Sequence, residues 1–384
     1  MADLINSKVY VIVNDISKQA LGSTAINVVD TQSFIDYGNN VLNSSDSTET
    51  FTAALLLRLA RTYYTYRPYE TSLKDLIVTG EEWAAIYQKI DANVPEFTVD
   101  ESYNLEDGKS VDQYIVRKPK ASQKLFIKRS PYSNFVTISR QMLKVAFRSE
   151  AEFAAFVRLV FGKMRIKLDF AMENLARLAI ANYVGTVALN DDTKQIVHLC
   201  TEYNDELGLT GDNAVTGKTA LHNKDFLAYA AGRIELYSKR FRGLSTVFNT
   251  EGEERHTPSR EQKLLVYDDF QSRLQHVVQY QAFHDDLVRL REFIEVPYWQ
   301  AEENRTTIMV KVTDGTANGE PTEKSVENLI AVMFDRYALG TFRNEEETLT
   351  TPINARARYY NTFHFAEQLW YNDLSENFVA FCLD

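Results

Sequence analysis

The hydrophobic pattern is most regular in the middle of the chain. From Phe153 to Ala179, apolar side chains recur three and four residues apart, the spacing of one face of an α-helix. Ser149 and Glu152 match a capping box, and Gly185 is a typical C-terminal stop. The pattern predicts one helix over Glu150–Val184, about 50 Å long at 1.5 Å per residue, which should run across the molecule as a spine.

The other apolar strings are short. The strands they predict are scattered among helices without a regular strand–helix–strand alternation, which indicates an α+β fold. Helices are expected over Ala53–Tyr66, Phe226–Tyr237 and Phe270–Phe283, with Asp268 and Asp269 capping the last, and strands over Leu264–Tyr267, Thr307–Val312, Ile330–Phe334 and Phe378–Leu383.

The charge of the chain is divided sharply between two adjoining segments. Residues 96–112 carry six acids and one lysine, whereas residues 113–149 carry nine bases and no acid. Tyr114–Val116 and Leu125–Ile127 have the period-two pattern of strands, and Asp107-Gly108 is a strong turn signal. The pattern predicts a long two-stranded hairpin with one acidic and one basic arm.

A lone hairpin is marginally stable in water, so this one is expected to lean on another surface. An acidic neighbour would relieve the repulsion along the basic arm. Two simpler readings stay open: a solvated charged face, or pairing of the two arms with each other. The candidate contact residues are Glu101, Glu106 and Asp107 on the acidic side and Arg117, Lys118, Lys120, Lys124, Lys128 and Arg129 on the basic side.

The composition excludes several classes of protein. The chain has 384 residues, 45% of them hydrophobic and 25% charged, with a net charge of −11. These values exclude wholesale disorder and argue against a general coating of nucleic acid. Two cysteines, Cys200 and Cys382, exclude a disulfide scaffold, and Cys382 lies in an apolar string typical of core. No membrane span and no secretory signal are expected.

No convincing catalytic motif is present. Gly211–Thr219 is similar to a phosphate-binding loop, but it has five residues between its glycines where four are needed. We therefore expect a surface loop there. Four polar residues could gather around a cation, but no metal-ligand spacing supports them. They are His276, His284, Asp285 and Asp286.

The order of the elements resembles the major capsid protein of tailed bacteriophages, which has the Hong Kong ninety-seven-type capsid fold. The resemblance rests on the hairpin, on a strand over Phe135–Phe147 and on the spine helix that follows. The blocks Arg358–Trp370 and Asn377–Phe381 look most similar to those of small, short-tailed podoviruses. The resemblance divides the chain into an N-terminal arm with P-domain packing (1–94), an extended E-loop (95–135), a P-domain with the spine helix (136–190), an A-domain with insertions (191–354) and closing P-domain strands (355–384).

The resemblance implies a structural protein rather than an enzyme. Such a protein assembles as hexamers and pentamers into the icosahedral shell around the double-stranded DNA of a tailed phage. The implied partners are other copies of the chain, a separate scaffolding protein, a portal protein at one vertex and DNA held by non-specific contact. No cofactor and no membrane are implied. The implied location is the virion, after assembly in the host bacterial cytoplasm.

Three alternatives stay open at this point. An encapsulin-like bacterial compartment shares the fold, and cargo genes beside its own gene would favour it. A metal-dependent hydrolase would use His284 and Asp285, and stoichiometric metal in the purified protein would favour that. A virion protein other than the main shell protein would be present in far fewer copies per particle.

Overall fold

The computed structural model describes most of the chain after residue 100 and parts of it before. The described residues are 10–11, 13–14, 28–43, 73, 76–79, 87–92, 100–110, 114, 116, 121–127, 129–147, 150–189, 194–280, 293–313 and 320–384. The predicted helix over Ala53–Tyr66 and the predicted cap Ser149 lie outside these ranges.

Helices and strands are mixed along the described ranges, so the prediction of an α+β fold is confirmed. The helices are α1 (Thr31–Asn43), α2 (Arg140–Ala146), α3 (Glu150–Leu189), α4 (Leu199–Leu207), α5 (Gly217–Ala220), α6 (Lys224–Arg240) and α7 (Asp268–Tyr280). The strands are β1 (Ile77–Thr79), β2 (Tyr87–Ala92), β3 (Ala121–Phe126), β4 (Arg129–Ser139), β5 (Ile196–His198), β6 (Gln262–Tyr267), β7 (Ile294–Val296), β8 (Ile308–Val312), β9 (Thr322–Val326), β10 (Leu329–Asp335), β11 (Leu339–Thr350), β12 (Tyr359–Asn372) and β13 (Phe378–Cys382).

The strands form two larger sheets and two ribbons. One sheet has the order β1-β11-β12-β4, with β1 parallel to β11 and the other pairs antiparallel. The second has the order β5-β13-β10-β6-β7 and contains both parallel and antiparallel pairs. The ribbons are β2 with β3 and β8 with β9, both antiparallel.

The second sheet forms the centre of the core. Every residue of β10 and β13 is buried, which explains why both strands read as unbroken apolar strings in the sequence. The strands predicted over Leu264–Tyr267, Thr307–Val312 and Ile330–Phe334 and the helix predicted over Phe226–Tyr237 are confirmed. Asp268 and Asp269 lie in the first turn of α7 rather than ahead of it.

The C-terminal segment is shared between the sheets. β12 lies in the first sheet, and β13 lies in the second, between β5 and β10. The resemblance assigns the range 355–384 to closing P-domain strands, and that assignment stays a prediction. The last strand of the range completes the sheet whose other strands come from residues 196–335.

The spine helix is confirmed, but the end predicted at Gly185 is wrong. α3 has 40 residues and continues to Leu189, about 60 Å at 1.5 Å per residue. It packs against β8, β9, β11 and β12. A Cβ atom at Gly185 would overlap the side chain of Val310 in β8. Glycine therefore lets the helix approach the β8–β9 ribbon closely, and it does not end the helix.

The strand predicted over Phe135–Phe147 is correct only as far as Ser139. There the Ser139 hydroxyl accepts a hydrogen bond from the Met142 backbone N–H at 3.2 Å and caps α2. Leu143 and Ala146, three residues apart, then bury one face of this short helix. The capping serine thus changes the backbone from strand to helix within an apolar stretch.

A two-stranded ribbon forms at the basic side of the predicted hairpin, but the pairing predicted for it is wrong. The strand β3 pairs with β2 in the register Tyr87↔Phe126 to Ala92↔Ala121, not with the acidic segment. Described residues 100–110 instead hold a 3-10 turn over Glu101–Asn104 and a turn at Gly108, whose φ is 83°. The Asp100 carboxylate accepts the Ser102 N–H at 2.9 Å, and such local bonds compete with strand pairing. Tyr114 and Val116 are not in strands either.

Candidate functional site

The ribbon β2–β3 is the root of a segment, residues 87–126, that we call the arm. Side chains alternate along β2, so Tyr87, Lys89 and Asp91 are half-buried while the residues between them are exposed. On β3, Lys124 and Phe126 are half-buried in the same way. Each strand therefore turns one face towards the body of the subunit and the other towards solvent.

Aromatic rings hold the innermost pair of the arm. The Tyr87 ring lies 4.7 Å from that of Phe342 and 4.9 Å from that of Tyr371, measured between centroids. The Phe126 ring lies 5.2 Å from that of Tyr371. We call Tyr87, Phe126, Phe342 and Tyr371 the root cluster. Such ring pairs contribute about 0.5–1.5 kcal/mol each beyond their buried area, so the cluster anchors the arm to the first sheet.

Ion pairs hold the next two inward-facing positions of the ribbon. Lys89 Nζ lies 2.5 Å from Asp373 Oδ2 and also pairs with Glu376. Lys124 Nζ lies 2.7 Å from both Asp373 Oδ1 and Glu251 Oε2. Beyond them, Asp91 pairs with Arg255. We call this set of seven residues the latch: Lys89, Asp91, Lys124, Glu251, Arg255, Asp373 and Glu376.

Asp373 is the central acceptor of the latch. Its side chain is 0% exposed, and each carboxylate oxygen accepts from a different lysine. Burial alone would raise the pKa of Asp373, but hydrogen bonds from Lys124 and Lys89 outweigh it and lower the pKa to about 2. Burial lowers the pKa of Lys89, and its bonds to Asp373 and Glu376 raise it overall. Both groups therefore stay ionised across the neutral range.

Two of the latch acids, Asp373 and Glu376, belong to a turn, residues 373–377, that is fixed to the core. The buried Tyr183 hydroxyl of the spine helix lies 3.0 Å from the Asp373 carbonyl oxygen and 3.1 Å from that of Glu376. Asn377 accepts the Asp335 backbone N–H at 2.9 Å. Because these bonds reach both the spine helix and β10, the carboxylates are held in place before the arm meets them.

Large apolar side chains are exposed on the described residues of the arm. Tyr103 and Leu105 in the 3-10 turn region are 85% and 71% exposed. Five further large apolar side chains along the arm or just after it are also more than half exposed: Ile90, Tyr114, Val116, Leu125 and Ile127. An exposed concentration of this kind is typical of a surface that contacts another molecule.

The structure places the predicted contact residues in different environments. Lys124 bonds within its own subunit, and Glu106 pairs with Lys109 on the exposed turn. Asp107 is exposed beside that turn, Glu101 begins the 3-10 turn and Arg129 begins β4. The remaining four lie outside the described residues: Arg117, Lys118, Lys120 and Lys128. Of this set, the subunit brings Lys124 into an ion-pair cluster.

Sequence reasoning missed the rest of the latch. Lys89 and Asp373 are 284 residues apart, so no local spacing links them. One signal was available: Asp373 and Glu376 are acids between two strongly apolar strands, and acids so placed are usually fully paired.

The structure does not support the phosphate-binding loop or the cation site that were considered from the sequence. Gly211–Thr219 forms a 3-10 turn and the short helix α5, and it follows the helix α4 rather than a strand. His276 is exposed, and His284, Asp285 and Asp286 lie outside the described residues. Among the described residues, no group of three or more histidines, cysteines or carboxylates is placed to hold a metal ion. Over the same residues, no helix is both long and apolar enough to cross a membrane.

Comparison with known proteins identifies the family. The sequence profile of the Phi29-like phage major capsid protein family matches residues 12–382. This chain belongs to that family. No curated protein sequence matches the chain. The family places the chain in a phage virion, as a component of a shell of many subunits.

Solved phage structures are similar to this capsid protein. A chain in the capsid of Staphylococcus phage Andhra matches with a TM-score of 0.51 and 10% identity, over 83% of this chain and 86% of that one. A chain in a structure of the head fiber and inner core protein gp22 of native bacteriophage P68 has a TM-score of 0.49 and 9% identity, over 84% and 87% of the two chains. At such identity the Andhra capsid supports the fold alone, and that fold is the Hong Kong ninety-seven-type capsid fold expected from the sequence.

The thiols of this capsid protein are buried in its core. The prediction that Cys382 belongs to the core is confirmed. Burial raises the pKa of Cys200 to about 12, and it raises the pKa of Cys382 further. Both thiols therefore stay protonated at neutral pH, and a thiol is a much weaker nucleophile than a thiolate.

Acid should weaken the capsid subunit through Asp373. Its pKa is lowered from 3.8 to about 2, so the stability it contributes is present above pH 4 and disappears as the pH falls towards 2. The loss should be on the order of 2 kcal/mol in the free energy of unfolding. Urea unfolding of the wild type and of Asp373→Asn between pH 5 and pH 2 measures it. The two curves should converge as the pH falls, and an unchanged gap would contradict the assignment.

Proposed function

We propose that this major capsid protein assembles as hexamers and pentamers into an icosahedral shell around double-stranded DNA, with the arm of each copy lying on a neighbouring copy. The observation that carries the proposal is the exposed apolar surface of the arm, where Ile90, Tyr103, Leu105 and Leu125 are each more than half exposed. The root of the arm is fixed by the root cluster and the latch, and the apolar side chains beyond it are open to solvent.

Other uncovered surfaces support contacts with several neighbours. On the first sheet, the Phe135 and Phe363 rings lie 5.8 Å apart, and Phe135 is exposed. Along the spine helix, Ile166, Phe170 and Leu178 are partly exposed. Monomeric proteins rarely leave several large apolar areas open to water. A head-to-tail contact between unlike surfaces closes into a ring when its rotation allows.

The proposal assigns no catalytic role to the chain. It retains a separate scaffolding protein and a portal protein at one vertex as partners, assembly in the host bacterial cytoplasm, and a podovirus as the source. The net charge of −11 fits a shell that holds DNA by weak, non-specific contact, since a strongly basic lining would bind the phosphates tightly. The spine helix would stiffen each subunit, and the β-sheet centred on β10 and β13 would face the middle of each capsomer.

Electron microscopy tests the proposal. The wild-type chain, expressed with the scaffolding protein of its phage, should form closed shells of uniform diameter. The double variant Tyr103→Ser and Leu105→Ser should fold but yield at least about tenfold fewer shells, because two exposed apolar contacts per subunit are lost.

A conservative pair of changes provides the control. Tyr103→Phe with Leu105→Met keeps the apolar surface of the arm and should assemble like the wild type. Circular dichroism should show all three proteins folded. The proposal fails if the wild type forms no shells with the scaffolding protein, or if the serine variant assembles in wild-type yield.

A further inference from the structure

The arm is attached at two sites of different chemistry. The innermost inward-facing pair, Tyr87 and Phe126, is held by rings of the root cluster. The next pair, Lys89 and Lys124, is held by carboxylates of the latch. The two pairs are two residues apart along each strand, about 7 Å. The second site therefore acts on the arm at a short distance from the first.

The latch joins two lysines that repel each other. Lys89 and Lys124 are direct cross-strand partners, and like charges in that position destabilise a strand pair. The Asp373 carboxylate removes this conflict because its two oxygens bind one lysine each. Without that carboxylate, the two half-buried ammonium groups would lose the acid that bridges them, and each would keep only its second acid, Glu376 for Lys89 and Glu251 for Lys124.

The partners of the arm come from two separate body segments. Asp373 and Glu376 lie in the turn fixed to the spine helix, whereas Glu251 and Arg255 lie in the loop after α6. That loop is joined to the turn, since Thr250 donates its backbone N–H to the Leu374 carbonyl at 3.0 Å. The arm is thus held from two sides by positions that the core keeps rigid.

We propose that the latch is a conformational lock that sets the direction in which the arm leaves the subunit, and that opening it lets the arm turn about the root cluster. The lock belongs to the single subunit and does not depend on shell assembly. It arises from charges rather than from apolar packing, so it can open without exposing core residues. Lys124 and Glu251, its most exposed ion pair, are where a charged group of another molecule can compete.

Distance measurements between spin labels on the unassembled subunit test the lock. One label is placed on the arm by Ser110→Cys and the other on the body by Asp212→Cys, both at exposed positions. The native cysteines are buried and should remain unlabelled. The otherwise wild-type subunit should give one narrow distance distribution.

Two variants open the lock from opposite sides. Asp373→Asn removes the bridging carboxylate, and Lys124→Ala removes a lysine on the arm without changing the body. Each variant removes the ion pairs of one latch residue with two partners, so each should broaden the distribution and raise the ratio of displaced to native arm at least about tenfold. If Asp373→Asn does not fold, Lys124→Ala still decides the question.

The matched control is Asp205→Asn, which removes the charge of an exposed aspartate in α4, outside the arm and the latch. It should keep the narrow distribution. The proposal is overturned if both latch variants fold and keep the wild-type distribution. It is also overturned if the wild-type distribution is already broad, or if the control broadens as much as the latch variants.

Discussion

Reversing the charge of Lys128 and Arg129 to glutamate is expected to reduce the yield of assembled shells tenfold or more while leaving the subunit folded. The two residues lie in the stretch of residues 113–149 that carries bases and no acid. If that stretch meets an acidic surface of a neighbouring copy, reversal turns attraction into repulsion, which costs several kcal/mol per contact. Shell yield by electron microscopy and folding by circular dichroism measure the two outcomes.

A matched charge change elsewhere separates position from net charge. Lys218→Glu with Lys311→Glu alters the net charge by the same amount at two exposed sites outside the arm. This control should assemble normally. Wild-type shell yield from the Lys128 and Arg129 variant would show that the basic stretch does not make the contact.

Lys124 has to be tested apart from Lys128 and Arg129. The sequence groups it with the other bases of the arm, but in the structure its ammonium group bonds to Asp373 and Glu251 of its own subunit. Reversing Lys124 would open the latch in the unassembled subunit. A triple variant at all three positions would therefore mix a change in arm direction with a change in the contact between copies.

Replacing Gly185 by alanine is expected to lower the free energy of unfolding by about 1–3 kcal/mol. In a helix interior, alanine is normally more favourable than glycine by about 1 kcal/mol. Here the sign should reverse, because the added methyl group would overlap Val310 and approach Val312 to 3.2 Å. Urea unfolding monitored by circular dichroism measures the difference.

The chain offers both a control and a rescue for this substitution. Gly232 lies within α6 with no atom within 4 Å of its potential Cβ, so Gly232→Ala should stabilise the protein by up to about 1 kcal/mol. Val310→Ala should recover part of the loss when combined with Gly185→Ala, since it removes the atoms that the methyl group meets. If Gly185→Ala stabilises the protein as Gly232→Ala does, the helix does not need glycine for close approach.

Gly185 shows a limit of prediction from sequence, because glycine can either end a helix or allow close packing. A glycine near the end of a helical pattern usually marks the stop, and Gly185 was interpreted in that way. The same residue type also allows two backbones to approach closely, and only the position of Val310 distinguishes the two roles. Ser139 shows the same limit. The apolar pattern predicts that the strand continues past it, but its capping bond to Met142 ends the strand and begins a helix.

Four features follow from the order of the residues alone: the α+β class, the long spine helix, the buried strands β10 and β13 and the resemblance to phage capsid proteins. These features depend on the spacing of neighbouring residues, which the chain carries wherever it folds. The tertiary structure alone decided which strand pairs with β3, why the helix continues past Gly185 and which acids bind Lys89 and Lys124. A charge pattern does not specify its partner, because any carboxylate that the fold brings within reach can bind a lysine. Asp373 became that partner only when folding placed it beside a strand 284 residues earlier in the chain.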